Sequence, residues 1–409
     1  MRYLALIACA ALACSAGTAP SPPSPVAPDS AGLPPATADV PRPVRYLAPA
    51  FAMDSLTALD RFLDARVAEG AFPGGVLVLG TSGGVIHTAT YGTYGLEDRR
   101  PVTDSTIYDL ASLTKVVGLT TVAYLLIDEG RLHLDDRVHS YLPDFTGAQK
   151  ELVTVRQLLT HSSGLPAWIP LYQETNNRED ALNRVRRVPL EHPPGSTYVY
   201  SDIGAITMTM IIERITGVPF DQYLRRRVLQ PLGMRNTGFL PDSGTFDRIA
   251  PTERDPWRGR IVLGEVHDEN ASHLGGVSGH AGLFSTGPDL ARFAVWLLRA
   301  HHGTLPDDAE PRLPPDLVRE LTSVQPGPDG STRAIGWDTP TPGGGLSSGT
   351  RLSPSSFGHT GFTGTSIWID PQRDVFIILL TNRVHPTREN RALLPIRGQV
   401  ADLVVGAVR

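Results

Sequence analysis

A serine hydroxyl and a lysine amine stand three residues apart in Ser112-Leu113-Thr114-Lys115. On a helix, side chains at that spacing share one face with their first atoms about 5–6 Å apart, a gap that a proton can bridge. The neighbouring residues predict a helix starting here: Asp109 is a candidate N-cap, the run 116–127 is uncharged and dense in Leu, Val and Ile, and Gly130 stops it. Ser112 then lies in the first turn, where unpaired backbone N–H groups and the positive end of the helix dipole favour developing negative charge. Lys115, enclosed by the apolar helix, is expected to have its ammonium form disfavoured and its pKa lowered, so that it can accept a proton. The chemistry this suggests is nucleophilic attack by an activated serine hydroxyl. The tetrapeptide alone arises by chance in many chains, so its weight depends on other segments.

Those segments are present. Tyr200-Ser201-Asp202 follows a Pro-Pro-Gly turn at 193–195, and His359-Thr360-Gly361 opens a Gly/Thr-rich stretch ahead of two strand-like runs. With Tyr108-Asp109-Leu110-Ala111 before the serine, the order and wide spacing resemble the three motifs of the penicillin-recognising serine hydrolases, S-x-x-K, Y-x-N and K-T-G or H-T-G. The resemblance is to the branch holding class C β-lactamases, D-alanyl-D-alanine carboxypeptidases and related esterases. It extends over nearly the whole chain after the leader, through Leu158-Leu159-Thr160-His161-Ser162-Ser163-Gly164-Leu165-Pro166, Pro231-Leu232-Gly233-Met234 and Gly279-His280-Ala281-Gly282-Leu283-Phe284-Ser285-Thr286.

By this resemblance, Ser112 attacks an acyl carbon to give a covalent acyl-enzyme, Lys115 and Tyr200 share the proton traffic, and water releases the acyl group. Which of Lys115 and Tyr200 is the base stays open. His359 stands where many relatives carry lysine, so a substrate carboxylate bound there should be held less well as pH rises. Thr360 is expected to hydrogen-bond the same group. The N–H of Phe362, directly after Gly361, is the expected second oxyanion donor beside that of Ser112. Asp202 departs from the usual asparagine: a carboxylate only accepts, so it cannot donate to a substrate carbonyl, and pairing with Lys115 is the alternative. The substrate is expected to be a D-Ala-D-Ala peptide, with ester or β-lactam as alternatives on the same chemistry, and a sensor that acylates without turnover as an alternative of another class. No cofactor and no metal are called for.

These residues need a scaffold, and the rest of the chain predicts one. Leu56, Leu59, Phe62, Leu63 and Val67 mark an amphipathic helix, followed by strand-like runs at 76–79 and 85–91 joined by Thr81-Ser82-Gly83-Gly84. The middle of the chain is helical in pattern, including 206–216, 220–229 and 289–299. Strand character returns at 366–369 and 375–380, and 391–408 can close as a helix. Strands at both ends with helices between them predict an α/β (α+β) fold, and the resemblance implies that it is of the β-lactamase/transpeptidase type. In it, the N- and C-terminal segments join one antiparallel sheet flanked by helices, and a mostly helical second lobe leaves the active site in the cleft.

Composition bounds the remainder. With 409 residues, 41% hydrophobic and 19% charged, the chain can bury a large core, and a net charge of -5 gives no footprint for nucleic acid or a polybasic membrane surface. A monomer is expected. Residues 1–14 read as an export signal, and Ala11-Leu12-Ala13-Cys14 resembles a loose lipoprotein cleavage box, which predicts an exported protein with Cys14 as a possible lipid tether. Both cysteines, Cys9 and Cys14, lie in this leader, which removes disulfides and thiolate chemistry from the domain. Ser15 to Pro49 holds ten prolines and reads as an extended linker, leaving 50–409 as the catalytic domain. Two rival sites are weak. Gly80–Gly84 and Gly345–Gly349 match G-x-S-x-G without a strand-to-helix context, and His267-Asp268-Glu269, His273 and His280 lack the spacing of a zinc helix.

Overall fold

The computed structural model describes residues 51–95 and 97–408. The leader 1–14 and the linker 15–49 lie outside the described residues. A five-stranded antiparallel sheet is built from β1 (Gly74–Thr81) and β2 (Gly84–Gly92) near one end of the domain, and from β7 (Phe357–Thr360), β8 (Ser366–Asp370) and β9 (Val375–Thr381) near the other, in the order β2-β1-β9-β8-β7. β1 and β9 join the two ends in register from Gly75 opposite Thr381 to Gly80 opposite Phe376. This is the predicted sheet. Its first hairpin turns through Ser82-Gly83 with Thr81 opposite Gly84, so Gly80–Gly84 is a strand connection and not a nucleophile elbow. Gly345 and Gly349 bridge one another within a loop.

β1 is buried along its entire length, which explains why its sequence is continuously apolar instead of alternating. Successive side chains still point to opposite faces. Leu77 and Leu79 join Leu56, Leu59 and Leu63 of the helix Met53–Ala68 and Val400 and Val404 of the helix Leu393–Ala407. Val76 and Val78 join a second, larger core containing Leu113, Val116, Met208, Ile211, Phe293 and Leu297. Sheet and helical lobe therefore share one continuous core. In that lobe the helix Asp202–Thr216 buries ten consecutive residues, Ile203 to Ile212, and the helix Gly287–His302 packs on the sheet.

The nucleophile segment departs from expectation. Asp109 does not cap a regular α-helix: Tyr108–Asp109 forms β3, a short strand paired with β6 (Phe284–Ser285). The Asp109 carboxylate accepts from the N–H of Ala111 at 2.8 Å and of His267 at 2.7 Å. Ala111 then takes a left-handed conformation (φ 46°), a costly state for a residue with a Cβ and one that turns the chain sharply from strand to helix. The first bonds after it are tight, from Leu113 to Leu110, Thr114 to Ala111 and Lys115 to Ser112. The turns widen to π-helical over Lys115–Thr120 before becoming α-helical over Thr121–Asp128. Strand pairing on one side and core packing on the other override the local capping signal.

The turn between β7 and β8 is fastened to this segment. The hydroxyls of Thr363 and Thr365 donate to the carbonyls of Asp109 and Leu110 at 2.7 and 3.0 Å, while buried Arg397 donates to the carbonyls of Gly361 and Thr365 at 2.7 and 3.0 Å. Gly361 is needed for the approach: a Cβ there would lie 2.1 Å from Thr365 Oγ1 and 2.4 Å from the Leu110 carbonyl oxygen. Gly361→Ala should therefore push the turn off the serine segment, lowering stability by about 1–3 kcal/mol, the usual cost of overpacking. Chemical denaturation checks this, and an unchanged midpoint would mean that the turn is not clamped as described.

Candidate active site

Each element carries its site residue by a local device. Ser201 caps the helix Asp202–Thr216, its hydroxyl accepting from the Gly204 N–H at 3.0 Å and donating to the Pro166 carbonyl at 2.6 Å. That cap fixes Tyr200 just outside the helix and Asp202 in its first turn. β7 delivers His359 and Thr360, paired with Ile367 and Ser366 of β8. The Gly279 to Ser285 stretch runs along the serine segment: the carbonyl of Leu283 accepts from the N–H of Leu110 at 2.9 Å, and that of His280 from Lys115 Nζ at 2.9 Å.

The predicted residues converge. Lys115 Nζ donates to Ser112 Oγ at 3.0 Å and lies 2.7 Å from Asp202 Oδ1 and 4.9 Å from the centre of the Tyr200 ring. The Asp202 contact is close but is not aligned as a hydrogen bond, so it is an ion pair first. The Tyr200 hydroxyl is buried and unpartnered, and the ring sits 5.8 Å from that of His359. Ser112 is half-buried and Phe362 exposed. Among the described residues, the N–H groups of Ser112 and Phe362 donate to no protein acceptor, the condition of an open oxyanion hole.

Electrostatics reverses two expectations. Burial does pull the Lys115 ammonium down, but the nearby charge of Asp202 more than compensates and holds the pKa above lysine's ordinary range. Lys115 thus rests as an ammonium whose contacts are Ser112, the His280 carbonyl and Asp202. His359, by contrast, is driven well below the usual imidazole range, first by burial and then by Arg333 and Lys115. Its Nδ1 lies 2.9 Å from the Thr360 carbonyl, which can only accept, so Nδ1 carries the proton and Nε2 is left as an acceptor. A neutral, accepting imidazole is not the titrating carboxylate clamp expected at this position.

Three further residues had no role in the sequence. His161 brackets the tyrosine: its carbonyl accepts from the Val199 N–H at 2.8 Å, its Nδ1 accepts from the Ser201 N–H at 3.1 Å, and its ring lies 4.5 Å from that of Tyr200. Only its place in the Leu158–Pro166 segment pointed to it. Arg333, buried with its Nε unpartnered and its guanidinium 5.9 Å from the centre of the Tyr200 ring, adds positive field from a loop whose sequence carried no signal. His280 spans Ser278 Oγ at 2.7 Å and Asp268 Oδ1 at 2.9 Å, which steadies the carbonyl that receives Lys115. The histidines grouped in the weak zinc reading go separate ways, His267 to Glu253, His280 to Asp268 and His273 to Thr175.

A family model described as Beta-lactamase matches residues 59–402. The chain belongs to the beta-lactamase family. A protein of Escherichia coli K12 named "Putative D-alanyl-D-alanine carboxypeptidase" is 32% identical over 410 residues, covering 88% of this chain and 92% of the relative. An "N-acetylmuramyl-L-alanine amidase" of Bacillus subtilis 168 is 32% identical over 374 residues, covering 82% of each. Among solved structures, a class C beta lactamase superposes with a TM-score of 0.68 at 20% identity, covering 87% of this chain and 98% of that one, a likeness of fold. The expected β-lactamase-type fold is thus found in both the topology and the relatives.

Asp202→Asn removes the countercharge and leaves a buried ammonium, a loss of about 3–5 kcal/mol for breaking a buried pair. Because Asp202 raises the Lys115 pKa, its contribution is fully present below the ordinary lysine range and is lost as pH rises through the folded value. In the variant burial acts on Lys115 without the countercharge and favours its neutral form, so the stability deficit should be no larger at pH 10.5 than at pH 7. Denaturation at pH 7 and 10.5 checks this, and a deficit that grows with pH would contradict the pairing.

Proposed function

We propose that the protein is an exported D,D-carboxypeptidase-type serine peptidase that cleaves cell-wall peptides through a Ser112 acyl-enzyme. The observation that carries this reading is Ser112 Oγ held at 3.0 Å by a lysine that is itself paired with Asp202, beside a buried, unpartnered tyrosine hydroxyl. Relatives named for D-Ala-D-Ala and muramyl-alanine bonds support the substrate class. Export and a tether through Cys14 rest on the leader 1–14.

In this scheme Lys115, already an ammonium, aims the serine and does not take its proton in that state. The Tyr200 hydroxyl is the remaining group of the trio and relays the proton, its oxygen taking the Ser112 proton as its own proton moves to the substrate nitrogen. Ser112 Oγ forms the bond to the acyl carbon, and the N–H groups of Ser112 and Phe362 hold the oxyanion. The D-alanine amine leaves with that proton as the C–N bond breaks. Water then attacks the ester, its proton passing through the Tyr200 hydroxyl to Ser112 Oγ as the ester C–O bond breaks, which frees the carboxylic acid and restores Ser112. His359, its ring 5.8 Å from that of Tyr200, offers the substrate an acceptor, and Thr360, next to it on β7, a hydroxyl donor. Asp202, engaged with Lys115, offers the substrate no donor, and that observation favours a simple carboxylic ester as the second reading.

The test is to give the protein and its Ser112→Ala variant an acetylated peptide ending in D-Ala-D-Ala, a nitrophenyl ester and a fluorescent penicillin. The wild type should release D-alanine repeatedly, and the variant should lose at least about 10³-fold in rate. Ester hydrolysis without D-alanine release selects the esterase reading, one stoichiometric burst selects a sensor, and equal activity of the two proteins removes Ser112 from its role.

The neutral His359 gives a separate prediction. Since its pKa lies well below the ordinary value, it stays uncharged from pH 6 to 8, and KM for the peptide should be flat over that range. A KM that rises with pH there would restore His359 as a cationic carboxylate clamp.

A further inference from the structure

An arc of aromatic side chains, of which Trp168, Trp257 and Phe362 are exposed, borders the site, and its rings are used by none of the chemistry above. Trp168, 44% exposed, follows Ala167, whose carbonyl accepts from the Asp202 N–H at 2.9 Å. Its ring lies 6.4 Å from that of Tyr172, which lies 4.7 Å from that of Trp257, 46% exposed at the turn between β4 (Arg254–Asp255) and β5 (Arg260–Ile261). From Trp257 the wall returns to the serine. Arg258 covers the Trp257 ring and donates to the His267 carbonyl, and the His267 ring stacks at 5.7 Å on that of Phe362, 49% exposed and next to the oxyanion N–H. Both ends of the arc thus touch catalytic elements, so the rings are continuous with the crevice.

At the tryptophan end the charge is balanced, since Arg258 is buried against Asp255. At the Phe362 end Arg388 is paired with Glu253 and Glu269, while Arg383, 4.9 Å from the centre of the Phe362 ring, is buried and donates to the carbonyls of Arg388 and Asn390. The tryptophan end of the wall therefore suits an uncharged occupant. Exposed tryptophan and tyrosine faces favour a group with one apolar face and a polar rim. A pyranose ring has that form: its axial C–H bonds carry slight positive charge toward the ring faces, while its hydroxyl and acetamido groups stay in water.

We propose that this aromatic arc is a subsite for the N-acetylated sugar of a glycopeptide, placing the attached peptide at Ser112. The inference rests on the peptidase reading and narrows its substrate to a muropeptide. It is tested by binding, which does not depend on turnover. In the Ser112→Ala protein, the affinities of two peptides ending in D-Ala-D-Ala, identical except for an N-acetylmuramyl group on one, are measured by titration calorimetry, with the Trp257→Ala and Trp168→Ala substitutions added singly. Both tryptophans are half exposed, so the fold should survive, which unchanged thermal melting would verify. The glycopeptide should bind about tenfold more tightly than the bare peptide, and either substitution should remove most of that margin while leaving the bare peptide within about twofold. Equal affinity of the two peptides, no binding of either, or equal losses on both in the variants would overturn the subsite. Failure of the peptidase reading would show elsewhere, as absence of D-alanine release by the wild type.

Discussion

A buried ammonium is tolerated only where negative charge and acceptors replace the water it has lost. Lys115 meets that condition through Asp202, the His280 carbonyl and Ser112 Oγ, each delivered by a different part of the chain. The serine comes from the turn after β3, the aspartate from the capped start of a core helix, and the carbonyl from the stretch leading into β6. The ion pair is therefore also a point at which three elements are held in register, and the orientation of the nucleophile depends on all of them.

The sheet contributes the opposite wall. Its joining of the two ends of the domain sets β7 beside the serine segment, and the threonine hydroxyls of the β7–β8 turn fasten it to the carbonyls just before Ser112. In the proposed scheme one oxyanion donor belongs to the helix start and the other to the turn, and the hydroxyls of Thr363 and Thr365 tie the two segments together.

Much of this was legible in the chain. The apolar strand β1, the hairpin connection at 81–84 and the helical middle follow from periodicity and turn residues, and the candidate site residues follow from three spaced motifs and their resemblance to a known family. What was not legible depends on contacts distant in sequence. Ser-x-x-Lys does not announce that a residue 87 positions later will reverse the effect of burial on the lysine. Nor does His359 reveal that burial, together with Arg333 and Lys115, will keep it neutral. The strand pairing of Tyr108–Asp109, which displaces Asp109 from its apparent capping role, likewise depends on residues 284–285. His161 and His280 act through backbone groups that no motif spells out.

The composition offers an unusually clean way to examine the central claim. The chain has only two lysines, Lys115 and Lys150. Both are buried, but Lys150 is surrounded by carbonyls and the Phe145 ring instead of a paired carboxylate, and burial pushes its pKa down to about 8. Labelling the lysine ε-carbons and following them by NMR from pH 6 to 11 therefore reports the two environments side by side. The signal lost in a Lys150→Arg control should titrate near pH 8, while the Lys115 signal should remain that of an ammonium across the range. Titration of Lys115 below lysine's ordinary value would show that Asp202 does not hold its charge, and would make the amine the base.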